Sequence, residues 1–211
     1  MEKQVSRSFK VNGLEIKTGN HKIGFDTLIF NMGSATTCPS KKLGMCKVPD
    51  GKCYALAPEK MYPTVKPYRD RQEKYWKETD IETIKADLRE LMSKKSKYIK
   101  RLKYFRFNEA GDFWSQTCVS KLDAIATMLK EEYSLLTYGY TARTDLDFSN
   151  VSFLVKGSNN DNGNNVKTMV IEHIEDKPKD FVKCPYSKTV TCRNCNFCKS
   201  DKKLNIAFLL H

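Results

Sequence analysis

Seven of the eight cysteines fall into two compact groups near opposite ends of the sequence. Cys38, Cys46 and Cys53 are spaced C-x7-C-x6-C, and Cys184, Cys192, Cys195 and Cys198 are spaced C-x7-C-x2-C-x2-C. Thiolates separated by two residues can turn toward one centre, and three in series can cover three corners of a cubane cluster. Cys184 is followed by Pro185, the arrangement of the distant fourth ligand in bacterial ferredoxins. The late set therefore suits a [4Fe–4S] cluster or a tetrahedral zinc. Zinc sites usually come as two separate C-x2-C pairs, so the triple run favours iron. The early three would leave one iron of a cluster open to a substrate or cofactor. On zinc they would need water or a histidine, and His21 is the nearby one. One of the three could instead be simply buried, or all seven could share one region. Cys118 stands apart on the apolar side of a predicted helix and reads as a small core residue.

A second signal is the segment Arg106-Phe-Asn-Glu-Ala-Gly-Asp-Phe-Trp-Ser115 at a strand-to-helix turn. Gly111 lets the backbone approach a ligand, and the helix start that follows can receive an anion. Glu109 and Asp112 are the candidate catalytic carboxylates. Arg106 and Gly111 are candidate cofactor contacts, as is Arg143 in the run Tyr140-Thr-Ala-Arg-Thr-Asp145. The plainer alternatives are a helix cap at Asp112 or Ser115, and ion pairs for the two arginines. His173 is either a ligand or base, or a hydrogen-bonded filler. The sequence has no P-loop, GxGxxG, GxSxG or HExxH, which removes those mechanisms.

These groups must be positioned by a chain of 211 residues, 40% hydrophobic and 11% aromatic, ordinary for a globular protein. No stretch approaches the ~20 apolar residues of a membrane span, and residues 1–7 lack a secretory signal. A cytoplasmic location is expected, the host cytoplasm if the gene is a phage's. In a reducing compartment clustered cysteines are metal ligands rather than disulfides. The formal net charge of +12 favours polyanions, and segment 94–106 carries seven Lys or Arg with Tyr98, Tyr104 and Phe105 interleaved. That block suits a nucleic acid or nucleotide, or is a solvated helix end running into a strand. An iron–sulfur protein would also need an electron donor.

The middle of the chain alternates helix and strand. Helices are expected over 67–77, from Thr79 with Glu82 closing a capping box, and over 116–132. Strands are expected over 27–30, 104–107, 134–140, 151–155, 166–171 and 204–210, with an Asn-rich turn over 157–165. This pattern predicts an α/β fold, a partly parallel sheet or partial barrel with an irregular cysteine loop over 32–64. Residues 1–183 would form the core and 184–211 a cysteine-cluster segment packed on it. Ligand chemistry in such sheets gathers beyond the carboxyl ends of the strands.

Taken in order, Cys38-Pro39, Lys52-Cys53-Tyr54-Ala55, the Gly111-Asp112-Phe113 turn and Cys184-Pro185 with the 192–198 run resemble the phage gene product 88 family. The resemblance implies a phage or mobile-element origin and little more. The Cys-Tyr-Ala motif is also similar to radical S-adenosylmethionine proteins, whose three-cysteine loop holds an open-iron [4Fe–4S] cluster. Their loop is usually C-x3-C-x2-C, narrower than the one here. This second resemblance implies that Cys38, Cys46 and Cys53 hold the reactive cluster, with S-adenosylmethionine near Gly111–Asp112 and Arg143. The rival expectation is a zinc-braced basic module that binds nucleic acid without catalysis.

Overall fold

The structure, a computed structural model, describes residues 5–49, 51–160, 166–187, 189–195, 197–199 and 204–209. Two hairpin strands, β1 (Ser8–Val11) and β2 (Leu14–Thr18), lead into β3 (Thr27–Phe30). Five helices follow: α1 (Pro39–Lys42), α2 (Leu56–Met61), α3 (Val65–Glu78), α4 (Ile81–Ser93) and α5 (Lys97–Lys100). Then come β4 (Tyr104–Phe107), α6 (Gln116–Tyr133), β5 (Leu136–Thr141), β6 (Leu154–Ser158) and β7 (Val166–Ile171). A short 3-10 turn at Ile174–Asp176 precedes β8 (Phe181–Lys183) and β9 (Asn205–Leu209).

Among the described residues nine strands form one sheet in the order β1-β2-β3-β4-β5-β6-β7-β9-β8. The first two pairings are antiparallel and every later one is parallel. The expected α/β fold with a partly parallel sheet is what forms, and the sheet is parallel from β3 onward. From β3 to β7 the order is sequential, as in the wall of a βα barrel, so no strand reversal opens a crevice mid-sheet. The segment 184–211 supplies β9, which pairs with β7 on one side and β8 on the other.

Helices α3, α4 and α6 pack on one face of the sheet. Ile84, Leu88 and Leu91 of α4, and Val119, Leu122, Ile125 and Leu129 of α6, recur at helical spacing and are buried. They meet Phe105 and Phe107, whose alternation in β4 sends both to this side. Phe107, Phe113, Phe148 and Phe153 form a cluster of tilted and stacked rings with centroids 5.2–6.2 Å apart. Gly139 makes room for it: a Cβ there would stand 2.5 Å from the Phe107 ring.

Some element ends differ from expectation for local reasons. The N-cap of α4 is Asp80 rather than Thr79, because the Asp80 carboxylate accepts the Thr83 N–H at 2.9 Å. Strand β5 starts at Leu136 rather than 134, because Ser134 takes a left-handed φ of 54° to close α6. Strand β6 lies three residues later than expected, since Phe153 is buried in the ring cluster ahead of the ladder. Residues 161–165 of the Asn-rich turn and residue 210 of the last expected strand lie outside the described residues.

Candidate functional site

The early cysteines sit where β3 and β4 end. Asn31 Oδ1 accepts the Ala110 N–H at 2.9 Å, and Asn108 Oδ1 accepts the Met32 N–H at 3.1 Å. These reciprocal bonds lace the two strand-end loops together. The lacing brings Gly111, with φ of 74°, against Gly33: a Cβ at 111 would lie 2.8 Å from the Gly33 carbonyl oxygen. Gly111→Ala is expected to lose about 2–4 kcal/mol, from the positive φ and a backbone overlap that cannot relax. Urea unfolding would check it, and a loss under ~0.5 kcal/mol, the size of an ordinary surface change, would mean the loops are not pressed together.

Beyond these loops, Cys38, Cys46 and Cys53 line one cavity with Tyr54, Glu109, Gly111, Asp112, Tyr140 and Thr141. It opens at the carboxyl ends of β4, β5 and β6. Its anchor is Asp112, 4% exposed. Oδ1 accepts from Phe113 N at 2.8 Å and Thr141 Oγ1 at 2.7 Å, while Oδ2 accepts from Ser40 Oγ at 2.5 Å and Ala142 N at 2.8 Å. One carboxylate thus ties the Cys38 loop to the ends of two strands. Burial holds its pKa above the usual carboxylate value despite those four donors. The Cys38 thiol is pushed up to about 12, by burial first and by the Asp112 charge second.

The cysteine loop is also pinned from the helix side. Glu59 on α2 and Arg69 on α3 form a buried ion pair at 2.6 Å, with side chains 2% and 4% exposed. Glu59 Oε1 accepts the Ala35 N–H at 2.7 Å, and Arg69 donates to the Ala55 carbonyl at 2.8 Å. Ala35 precedes Cys38 and Ala55 follows Cys53, so one pair clamps both flanks of the early loop.

The late cysteines lie on the sheet face opposite the helices. Cys184, Cys192, Cys195 and Cys198 line a cavity with Arg106, Tyr138, Tyr140, Lys199, Ile206 and Phe208. Parallel register puts Arg106, Tyr138, Ile206 and Phe208 on that face. Burial raises the pKa of both the Cys184 and Cys198 thiols, and the neighbouring late cysteines add to it. Backbone bonds fix the segment: Cys184 N donates to Ala207 O at 2.8 Å and Arg193 N to Lys22 O at 3.1 Å. Among the described residues no three His, Cys, Asp or Glu side chains already converge on a metal-sized point.

The expected site residues are thus divided. Glu109, Gly111 and Asp112 join the early cysteines, with Glu109 held by Lys17 at 3.3 Å. Arg106 joins the late ones. Arg143 lines neither cavity: its guanidinium grips Asp145 at 2.6 and 2.7 Å and donates to the Phe113 carbonyl. That is the ion-pair alternative, used to brace the Asp112 turn. His21 is on the loop before β3, next to Lys22 and the late segment, and is not among the early cavity's lining. His173 caps the 3-10 turn. Cys118 packs against the core. Ser115 holds the N-cap position of α6 without a side-chain cap bond. The basic block is divided too, with Arg106 turned into the sheet face and Arg101 bonded to the Phe25 carbonyl and stacked near Tyr98.

Sequence reasoning missed Tyr140, which lines both cavities. The profile of the family described as Gene product 88 matches residues 7–201, nearly the whole described chain and both cysteine sets. The chain belongs to the gene product 88 family. Comparison with curated proteins and with solved structures gave no match. No helix among the described residues is long and apolar enough to cross a membrane.

Proposed function

We propose that this gene product 88 family member is an iron–sulfur protein with two unlike centres. The observation that carries the reading is the gathering of Cys38, Cys46 and Cys53 in one cavity beyond the carboxyl ends of parallel strands. Ligands of α/β sheets collect at that edge. Three thiols without a fourth protein thiol fit a [4Fe–4S] cluster with one iron not held by cysteine. When bound, such a cluster supplies an open iron to which a carboxylate and amine, such as those of S-adenosylmethionine, can coordinate. Asp112 sets the position of the Cys38 loop through Ser40, and Tyr54, whose hydroxyl donates to the Glu109 carbonyl at 2.7 Å, walls the cavity.

The late four thiols fit a closed tetrathiolate centre. Lining by Tyr138, Ile206 and Phe208 restricts water, and the set leaves no ligand position for a substrate. The substrate class is a nucleotide, nucleic acid or other small anion, favoured by the charge of +12.

Anaerobic purification and reconstitution test the reading. Two cubane centres predict about 8 iron and 8 sulfide per chain, and the triple change Cys38→Ala/Cys46→Ala/Cys53→Ala should leave about 4. Adding S-adenosylmethionine to the reduced protein should perturb the spectrum of the native chain and not of the triple variant. A colourless protein that takes up only zinc would sink the proposal in favour of the zinc-braced module.

A further inference from the structure

Beneath the late cysteines the sheet carries an unusual side chain. Lys156 lies in the middle of β6, is 1% exposed, and its Nζ has no hydrogen-bond partner among the described residues. Register places it beside Tyr140, on the same face as Arg106 and Tyr138. Burial lowers its pKa, and its electrostatic neighbour is the Cys198 sulfur. Arg106 shares that face, with its guanidinium 5.6 Å from the centre of the Tyr140 ring and its Nε unpartnered among the described residues. Lys199 completes the set. It is 5% exposed, donates to the Ile23 carbonyl at 2.8 Å and stands 4.6 Å from the centre of the Tyr104 ring.

Taking an ammonium out of water without a partner costs several kcal/mol. Three cations close to one cavity repel one another as well. In the described structure no carboxylate enters that cavity; its titratable lining is Arg106, Lys199, the four thiols and tyrosines, with Lys156 behind Cys198 and Lys22 near Cys184. Asp26 acts on Lys199 and Glu109 on Arg106 from outside the cavity, whereas for Lys156 the counter-charge among the described residues is that of the Cys198 sulfur. Four neutral thiols provide none. Four thiolates on a dication, or on a [4Fe–4S] core of charge 2+, carry a net charge of −2.

We propose that Lys156, with Arg106 and Lys199, forms a buried cationic floor that selects a dianionic tetrathiolate metal centre at Cys184, Cys192, Cys195 and Cys198. The inference rests on the late site of the proposed function and adds the residues that match its charge. The floor acts on the centre through its field, without ligating it. A positive charge at this position favours the thiolate–metal form over thiols and free metal. On an iron–sulfur centre it favours the more negative, reduced state, so the reduction potential is held up.

The test compares the reconstituted full-length chain with Lys156→Met, which keeps length and apolar volume, and Lys156→Arg, which restores the charge. Three readouts are taken: far-ultraviolet circular dichroism, the rate of metal loss to a chelator, and the midpoint potential of the late centre in the early-cysteine triple-alanine background. Lys156→Met should stay folded, lose late-site metal on the order of tenfold faster and shift the potential to a more negative value. Lys156→Arg should lie close to the native chain in both. A purely structural lysine would leave both readouts unmoved in a folded Lys156→Met, and that result overturns the proposal. If Lys156→Met does not fold, the same comparison on Lys199→Met decides. A native chain that binds no metal at the late set would instead overturn the parent reading. Zinc alone at that set would remove the iron assignment while the chelator rates still judge the floor.

Discussion

Replacing Arg69 with methionine is expected to destabilise the fold by about 3–5 kcal/mol, the usual penalty for leaving one half of a buried ion pair behind. Glu59 would remain 2% exposed with only the Ala35 N–H on its Oε1, since its Oε2 has no partner among the described residues. The lost Arg69 bond to the Ala55 carbonyl adds to the penalty. The effect should be coupled rather than additive. In Arg69→Met/Glu59→Gln the charge is gone and the amide oxygen can still accept from Ala35, so a third or more of the loss should return. Guanidinium unfolding of the four species measures this directly. A single-variant loss below ~1 kcal/mol, the range of exposed pairs, would show that the clamp is not sealed from water. Because the pair grips residues on both flanks of the early loop, the damage should also reach the cysteines. Proteolysis should cut within 36–54 in Arg69→Met before it cuts elsewhere.

Asp112→Ala is expected to cost a similar amount, about 3–5 kcal/mol, because two backbone N–H groups and two hydroxyls lose their acceptor in a closed environment. Asp112→Asn separates charge from hydrogen bonding. One oxygen survives to serve Phe113 and Thr141, but the amide nitrogen faces the Ala142 N–H, so about 1–3 kcal/mol should be lost. The two variants also differ from the native chain in pH dependence. Burial raises the folded pKa of Asp112 above its ordinary 3.8. The folded state therefore binds this proton more tightly than the unfolded state does. Its stabilising contribution is complete below that ordinary value and declines as pH rises through the folded one. The native-minus-Asn difference in unfolding free energy should thus be largest near pH 4 and shrink at higher pH. A difference that grows with pH would show that the four donors outweigh burial.

How much of this was legible beforehand depends on range. Strands 27–30, 104–107 and 166–171 could be read to the residue, because each is a short apolar or alternating run between polar or turn-forming neighbours. Strand β6 could not. It runs through Lys156, Gly157 and Ser158, and Lys156 is buried on the sheet face that carries the late cysteines, while apolar Phe153 is used by a loop. Spacing alone grouped the cysteines as the cavities do. It could not divide the arginines between them. Whether Arg106 points to the helices or to the late cysteines is set by strand phase, and Arg143 is claimed by Asp145 only because the chain bends between them. The Glu59–Arg69 clamp joins residues ten apart on two successive helices, a separation at which no periodicity signals contact.

The placement of β9 has a consequence for the order in which the molecule can assemble. Parallel neighbours such as β8 and β9 require a crossover, usually a helix, and here the crossover is the stretch that holds the four late cysteines. Strand β8 pairs with β9 and not with β7, so it has no place in the sheet until residues 205–209 exist. On a ribosome the strands through β7 can join in sequence as they emerge. The outer part of the sheet then closes in one late step, spanning the 38 positions from Thr168 to Ile206. Any binding that draws the crossover together shortens the loop to be closed and should speed that step more than it slows unfolding.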